Sequence, residues 1–373
     1  MRLASLLIVM LMTSIAASDT PDERSQLSTL LSAGSNAGFP TVTEPRMFEF
    51  PRDHGPHPEF RNEWWYMTGN LEADNGRHFG FELTIFRFAL TPEKPASDSS
   101  WRTNQVYIAH FAMTDSDNKR FYVAERFSRG AAGLAGAKTE PFRVWIDDWE
   151  IAAADKESER EQWRLRASDD EFVLSLDLAA VKRPVLNGID GLSQKSAEVG
   201  NASYYYSITR WRSDGLLRIG QREFRVSGLS WLDREWSSSA LAADQQGWDW
   251  FALQLSDGSD VMFYNLRKTD GTQDTFSGGT WISTVGESRH IDRNAISITV
   301  TATWDSPTGG TYPAGWDIRI DDEDLELSVT PVIDDQELFT TVRYWEGAVD
   351  VTGTQAGKAI DGRGYVELTG YAE

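Results

Sequence analysis

Phe50-Pro-Arg-Asp-His-Gly-Pro-His-Pro-Glu-Phe-Arg-Asn-Glu-Trp-Trp-Tyr-Met-Thr-Gly-Asn70 passes from a proline-punctuated polar loop into a strand without a break. Pro51, Pro56 and Pro58 keep the loop extended and stiff, because each ring fixes φ. Arg52, Asp53, His54, His57, Glu59, Arg61 and Glu63 load it with ionisable groups. In the strand that follows, side chains alternate between faces, so Trp64 and Tyr66 share one face and Glu63 and Trp65 the other. One indole therefore lines an interior whichever face points in. A Glu63 carboxylate beside an inward Trp65 is expected to be desolvated and its pKa raised, which is how a general acid is made. Core packing or a barrel plug is the competing use of the aromatic pair.

The period of two continues outward from this strand. Phe79, Phe81, Leu83 and Ile85 alternate with Gly80, Glu82 and Thr84, and Val106, Ile108, His110 and Ala112 with Tyr107, Ala109, Phe111 and Met113. The second half repeats the style in Trp248 to Leu255, Val261 to Leu266, Leu325 to Val329 and Gly364 to Tyr371, with turns at Asp257-Gly258 and Asp270-Gly271. Placing Gly76 over Gly258 brings Leu71 over Leu253 and Phe81 over Phe263, a weak internal repeat built on two hairpins. These features predict an all-β protein made of two antiparallel barrels, residues 46–212 and 213–373, with the boundary at Arg212-Ser-Asp-Gly215. A barrel of about eight strands has an interior able to hold one small apolar ligand.

Arg2, the apolar run Leu3 to Met12 and Ala16-Ala17-Ser18 predict a signal peptide over residues 1–18, and so a periplasmic or secreted chain. The run is too short to span a membrane. Residues 19–45 are read as a tether, with Leu27, Leu30 and Leu31 at helical spacing before the small residues of Ser32 to Gly38. The chain has no cysteine, hence neither disulfides nor a lipid-modified cysteine. Its 57 acidic and 36 basic residues give a net charge of −21, and removing Arg2 with the signal makes it −22, which disfavours nucleic acid and anionic lipid as partners.

Trp231-Leu-Asp-Arg-Glu-Trp236 is the second dense cluster. Extended, it puts Trp231, Asp233 and Glu235 on one side and Leu232, Arg234 and Trp236 on the other, with the two carboxylates about 7 Å apart as in acid/base pairs. A salt-bridged network is the alternative. His110, on the apolar-alternating face of its strand, can move protons if it points inward. His54 and His57 lack a third ligand at recognisable spacing, so no metal site is expected. There is no phosphate loop and no Gly-x-Ser-x-Gly elbow, and no cofactor is implied.

The opening stretch, Tyr107-Ile-Ala-His-Phe-Ala-Met-Thr-Asp115, Arg126-Phe-Ser-Arg-Gly-Ala-Ala-Gly-Leu-Ala-Gly136, Trp231-Leu-Asp-Arg-Glu-Trp-Ser237 and Gly364-Tyr-Val-Glu-Leu-Thr-Gly370 together resemble the AttH and hydroxyneurosporene-synthase (CrtC-like) family. The resemblance implies a tandem of lipocalin- or streptavidin-like (calycin-type) barrels with terminal strands exchanged between the halves. It also implies an apolar substrate, and an association with ABC-type export systems. Carotenoid hydratases of this superfamily carry a His where this chain has Arg234, and arginine cannot deliver a proton near neutral pH. Tyr264 matches a Tyr that those enzymes use.

The reading that follows is an exported, two-barrel protein enclosing a lipophilic small molecule at the domain junction. If it is an enzyme, it is a cofactor-independent hydro-lyase or isomerase acting on a double bond. Asp233 or Glu235 is the proton donor, Arg234 orients it, and His110 and Glu63 are reserve acids. Trp64, Trp65, Tyr66, Trp231, Trp236, Tyr264, Arg52 and His54 are the expected ligand-binding residues, Trp65 and Trp236 stabilising carbocation charge. The loop Arg52 to Arg61 is expected to cross a barrel mouth and meet the Trp231 to Trp236 cluster, and that meeting point to be the pocket. A non-catalytic accessory of an export system and, on the strength of 15 Trp, a carbohydrate-binding module are the alternatives.

Overall fold

The computed structural model describes residues 36–94, 96, 99–154, 160–239 and 241–372. The predicted signal peptide and the leucines of the tether lie outside them. Among the described residues the tether does not stay free. Val42 is fully buried in the first core, and Asn36 Oδ1 accepts from Arg61 Nη1 at 2.6 Å.

The alternating segments form two antiparallel sheets. In the first, the Asn62–Ala73 strand pairs with His78–Ala89 on one side and with the sheet's last strand, Arg222–Ser237, on the other. In the second, Gln245–Leu255 likewise pairs with Asp260–Lys268 and with the last strand, Lys358–Leu368. This shared plan is the content of the sequence repeat. Leu71 and Leu253 sit in corresponding cores, and Gly76 and Gly258 turn the hairpins at φ of 80° and 95°, which a side chain would strain. The first sheet curls into a near-barrel, and Arg126 of the outer strand Arg120–Arg129 reaches across to Asp148, just before Trp149–Ala153, and, at 3.2 Å, to the Ser168 carbonyl at the end of Gln162–Ser168.

Three expectations are corrected. The break between the sheets falls between Ser237 and Gln245, not at 212–213. Arg212-Ser-Asp-Gly215 is no turn but the middle of the Ala202–Ile219 strand, where Gly215 lets the backbones approach: a Cβ there would lie 2.0 Å from the Ser175 carbonyl oxygen. No terminal strand is exchanged among the described residues, since each sheet is built from one continuous stretch of chain. Nor is the first barrel hollow. Trp65, Met67, Leu83, Phe111, Trp149 and Trp163 fill it, leaving the barrel axis without room for a ligand.

The outward faces of the two hairpins pack against each other, so His78–Ala89 is buried along its whole length, on both faces. Lys182 and Arg210 of the first unit clamp the buried Asp260 of the second, each at 2.7 Å. The two units approach closely at Gly80, where a Cβ would stand 2.5 Å from the Ala348 Cβ. Gly80→Val is expected to lower stability by about 1–3 kcal/mol through overpacking, read as a lower urea midpoint at unchanged m-value.

Candidate functional site

Where the outward faces diverge they leave a cavity that opens to solvent. Trp64, Tyr66 and Phe86 of the first hairpin and Trp248, Trp250 and Tyr264 of the second form its aromatic walls, and Ser239 and Leu241 of the link close one side. Register explains the arrangement: Tyr66 stands opposite Asp233 and Trp64 opposite Glu235 across one ladder, so these alternate residues of two paired strands share the pocket face.

Asp233 is almost fully buried and accepts from Ser207, from Tyr205 Oη at 2.6 Å and from Trp231 Nε1 at 2.8 Å. Burial, reinforced by Glu235, pushes its pKa up to about 7 against those hydrogen bonds. Glu235 Oε1 meets Ser203 and, at 3.1 Å, Lys195 Nζ, which lies over the Tyr264 ring at 4.6 Å. Burial works against the Lys195 ammonium, but Glu235 outweighs it and raises its pKa. Glu367, on the last strand, lines the same cavity, and burial pushes its pKa to about 8 against a hydrogen bond from Trp248. Burial thus raises two carboxyls in the one cavity, Glu367 further than Asp233.

Behind this wall, Glu82 and Glu346 are fully buried, and burial raises both far above the carboxylate range; Tyr66 Oη donates to Glu346 at 2.5 Å. A carboxyl with a raised folded pKa stabilises fully below its unfolded value and loses that contribution as pH rises through the folded one. For Glu367 the window runs from about 4.5 to about 8. Wild-type Tm is therefore expected to drop between pH 6 and pH 9, and less so in Glu367→Gln, as followed by circular dichroism.

The expected residues divide by face. Trp64, Tyr66, Asp233, Glu235 and Tyr264 line the cavity. Trp231 supports it through Asp233 and packs edge-on to Trp250 at 6.4 Å. Glu63, Trp65, Arg234 and Trp236 face the interior of the first barrel instead. There Glu63 binds Arg87 and Arg234, whose guanidinium lies 3.9 Å from the Trp65 ring centroid, and His57 stacks on Trp236 at 3.7 Å. Although burial favours protonation of Glu63, the two arginines overcome it and hold its pKa well below the usual range, so it is no reserve acid. Arg234 cannot orient a pocket acid from that side. The opening loop does cross the barrel mouth and meets the Trp231 to Trp236 cluster, as Trp65 Nε1 to the His54 carbonyl at 2.9 Å and Arg234 Nη2 to the Gly55 carbonyl at 2.7 Å record. But that meeting point is a sealed plug, not the pocket. His54 is fully buried in it, bound to Tyr206 Oη at 2.7 Å, and Arg52 sits at the surface paired with Glu49.

His110 points not into the barrel but between the two units, Nδ1 to Tyr344 Oη at 2.8 Å and Nε2 to Glu125 at 3.2 Å. Tyr344 lines the cavity, so His110 stands one residue behind it. Lys195, Trp248, Trp250 and Glu367 escaped the sequence reading. Alternation carried a signal for three of them, since it sets Trp248 with Trp250 opposite Asp249 and Phe251, and Glu367 with Tyr365 opposite Val366 and Leu368; Lys195 had none. Among the described residues no group of three His, Asp or Glu is placed to hold a metal ion. Among the described residues Trp101 is the largely exposed tryptophan, and Trp64, Trp145, Trp248 and Trp304 are part-exposed.

Fold and cavity together define a lipocalin-like tandem β protein with its pocket at the junction of its units. The chain belongs to the AttH-like family, whose model matches residues 41–371. It is similar to the crystal structure of a candidate AttH from Nitrosomonas europaea, with 34% identity, 90% of this chain and 100% of that one covered, and a TM-score of 0.79. Kievitone hydratase from Nectria haematococca is similar in fold at 17% identity, covering 91% of this chain and 95% of its own, with a TM-score of 0.65. So is CghA, solved with Sch210972, at 13% identity, 92% and 97% coverage and a TM-score of 0.51. No curated protein sequence matches at a significant level.

Proposed function

We propose that this protein, exported from the cytoplasm, binds a lipophilic small molecule between its two units and transfers a proton to or from a carbon–carbon double bond without a cofactor. The observation that carries the reading is that Asp233 and Glu367 line one aromatic cavity, where burial pushes both carboxyls up, to about 7 and about 8. Matched near neutrality, one can donate a proton while the other accepts. Trp64, Trp248 and Trp250, in place of Trp65 and Trp236, would face the positive charge that develops on carbon. Hydration and isomerisation are both reactions of this kind, and a neighbour in fold bears the name kievitone hydratase.

The test starts from the intact protein purified from its source. Its organic extract is examined by mass spectrometry for a co-purified apolar molecule, which is then returned to the protein in D2O. Incorporation of one deuterium at carbon supports the reading. Binding without incorporation leaves a carrier, and an empty cavity that takes up no apolar molecule defeats it.

A further inference from the structure

Resting on the proton-transfer reading, a further question is how the acid of the cavity is recharged. Each transfer to carbon leaves its donor as a carboxylate, and an apolar molecule seated in the cavity stands between that carboxylate and the mouth. Trp64, Leu241 and Trp248 are part-exposed and mark the mouth, whereas Thr84, Phe86 and Tyr344 are buried and form the back.

A hydrogen-bonded chain leaves through that back wall. Tyr344 Oη meets Nδ1 of His110 at 2.8 Å, and Nε2 of His110 meets Glu125 Oε1 at 3.2 Å. His110 is fully buried, with the Phe86 ring edge-on to it at 5.6 Å. The Glu125 side chain keeps 23% of its surface exposed and is held by Thr341 Oγ1 at 2.7 Å. One imidazole therefore joins the solvent side to the cavity side.

A neutral imidazole accepts at one nitrogen and donates at the other, so it can pass a proton on. A proton arriving on Glu125 moves to Nε2 as the Nδ1 proton moves to Tyr344 Oη and the Tyr344 hydroxyl proton enters the cavity. One proton goes in, one comes out, and all three groups return to their starting charge. Neither flank retains it. Although burial raises Glu125, hydrogen bonds from His110 and Thr341 outweigh it and hold its pKa at about 2; burial, then Glu82 and Glu346, push the Tyr344 phenol well up.

We infer that Glu125, His110 and Tyr344 relay protons between solvent and the back of the cavity while a bound molecule occupies its mouth.

The test uses the full chain, with N-phenyl-1-naphthylamine, a neutral apolar dye, to fill the cavity. A stopped-flow jump from pH 6 to pH 9 is followed in the infrared at the carboxyl band that Asp233→Asn removes. His110→Gln can keep both hydrogen bonds, but its amide passes no proton. With the dye bound, this variant is expected to lose the band at least about tenfold more slowly than the wild type; without the dye, the two should match within about twofold. Slowing confined to the dye-bound protein is something a merely structural His110 cannot produce. Tyr344→Phe should act alike, and takes its place should His110→Gln fail to fold. Equal rates with the dye bound, or the same slowing without it, overturn the inference. If the dye does not bind, or the Asp233 band does not change over the jump, the proposed pocket and its acid fail and the relay falls with them.

Discussion

Arg234→Ala is expected to cost the fold about 3–5 kcal/mol, the penalty for breaking a buried ion pair from one side. Arg234 is fully buried, and its Nη2 serves both Glu63 and the Gly55 carbonyl, the latter at 2.7 Å. Removing it leaves a desolvated Glu63 with half its countercharge, unstacks Trp65 and unpins the loop that plugs the first barrel. Glu63→Gln should do similar damage from the other end, stranding two guanidinium groups. Urea unfolding followed by tryptophan fluorescence measures both. A midpoint within error of the wild type would show that the plug is not what holds this end of the barrel.

The neighbouring residue should behave in the opposite way. Asp233→Asn keeps the shape of the side chain and is expected to leave the protein folded, at a cost of about 1–3 kcal/mol for mismatched hydrogen bonds. Turnover of the co-purified molecule should fall by about 10²–10⁴, the usual worth of a positioned acid or base, with binding of the neutral naphthylamine changed by no more than a few-fold. Measured as kcat and Kd side by side, this separates a catalytic carboxyl from a structural one. If turnover survives while Tm falls sharply, Asp233 is structural.

The contrast between positions 233 and 234 rests on strand alternation, and that part was legible in the sequence. Period two separated Glu63 and Trp65 from Trp64 and Tyr66, and Arg234 and Trp236 from Asp233 and Glu235, as the ladder registers bear out. What alternation cannot say is which face meets which environment. In a lone barrel one face is core and the other meets water. Here both faces of the hairpins are buried, one in the barrel and one against the second unit, so the outward side carries Tyr66 and Phe86 and reads as apolar as the inward one. The sequence therefore points to the right strands for the pocket and to the wrong face of them. Gly215 misled for a related reason, since a glycine needed for close backbone approach looks the same in sequence as one needed for a turn. Lys195 lies outside any alternating run, in the segment after Leu192–Gln194, and only tertiary contact brings it to Glu235.

A crystal structure of the protein soaked with N-phenyl-1-naphthylamine tests the central claim most directly. The rings are expected in van der Waals contact with Trp64 and Trp250, beside Asp233 and Glu367, between the two units. Density for the probe along the axis of the first barrel, or at the plug formed by Arg52 to Arg61, would contradict that placement.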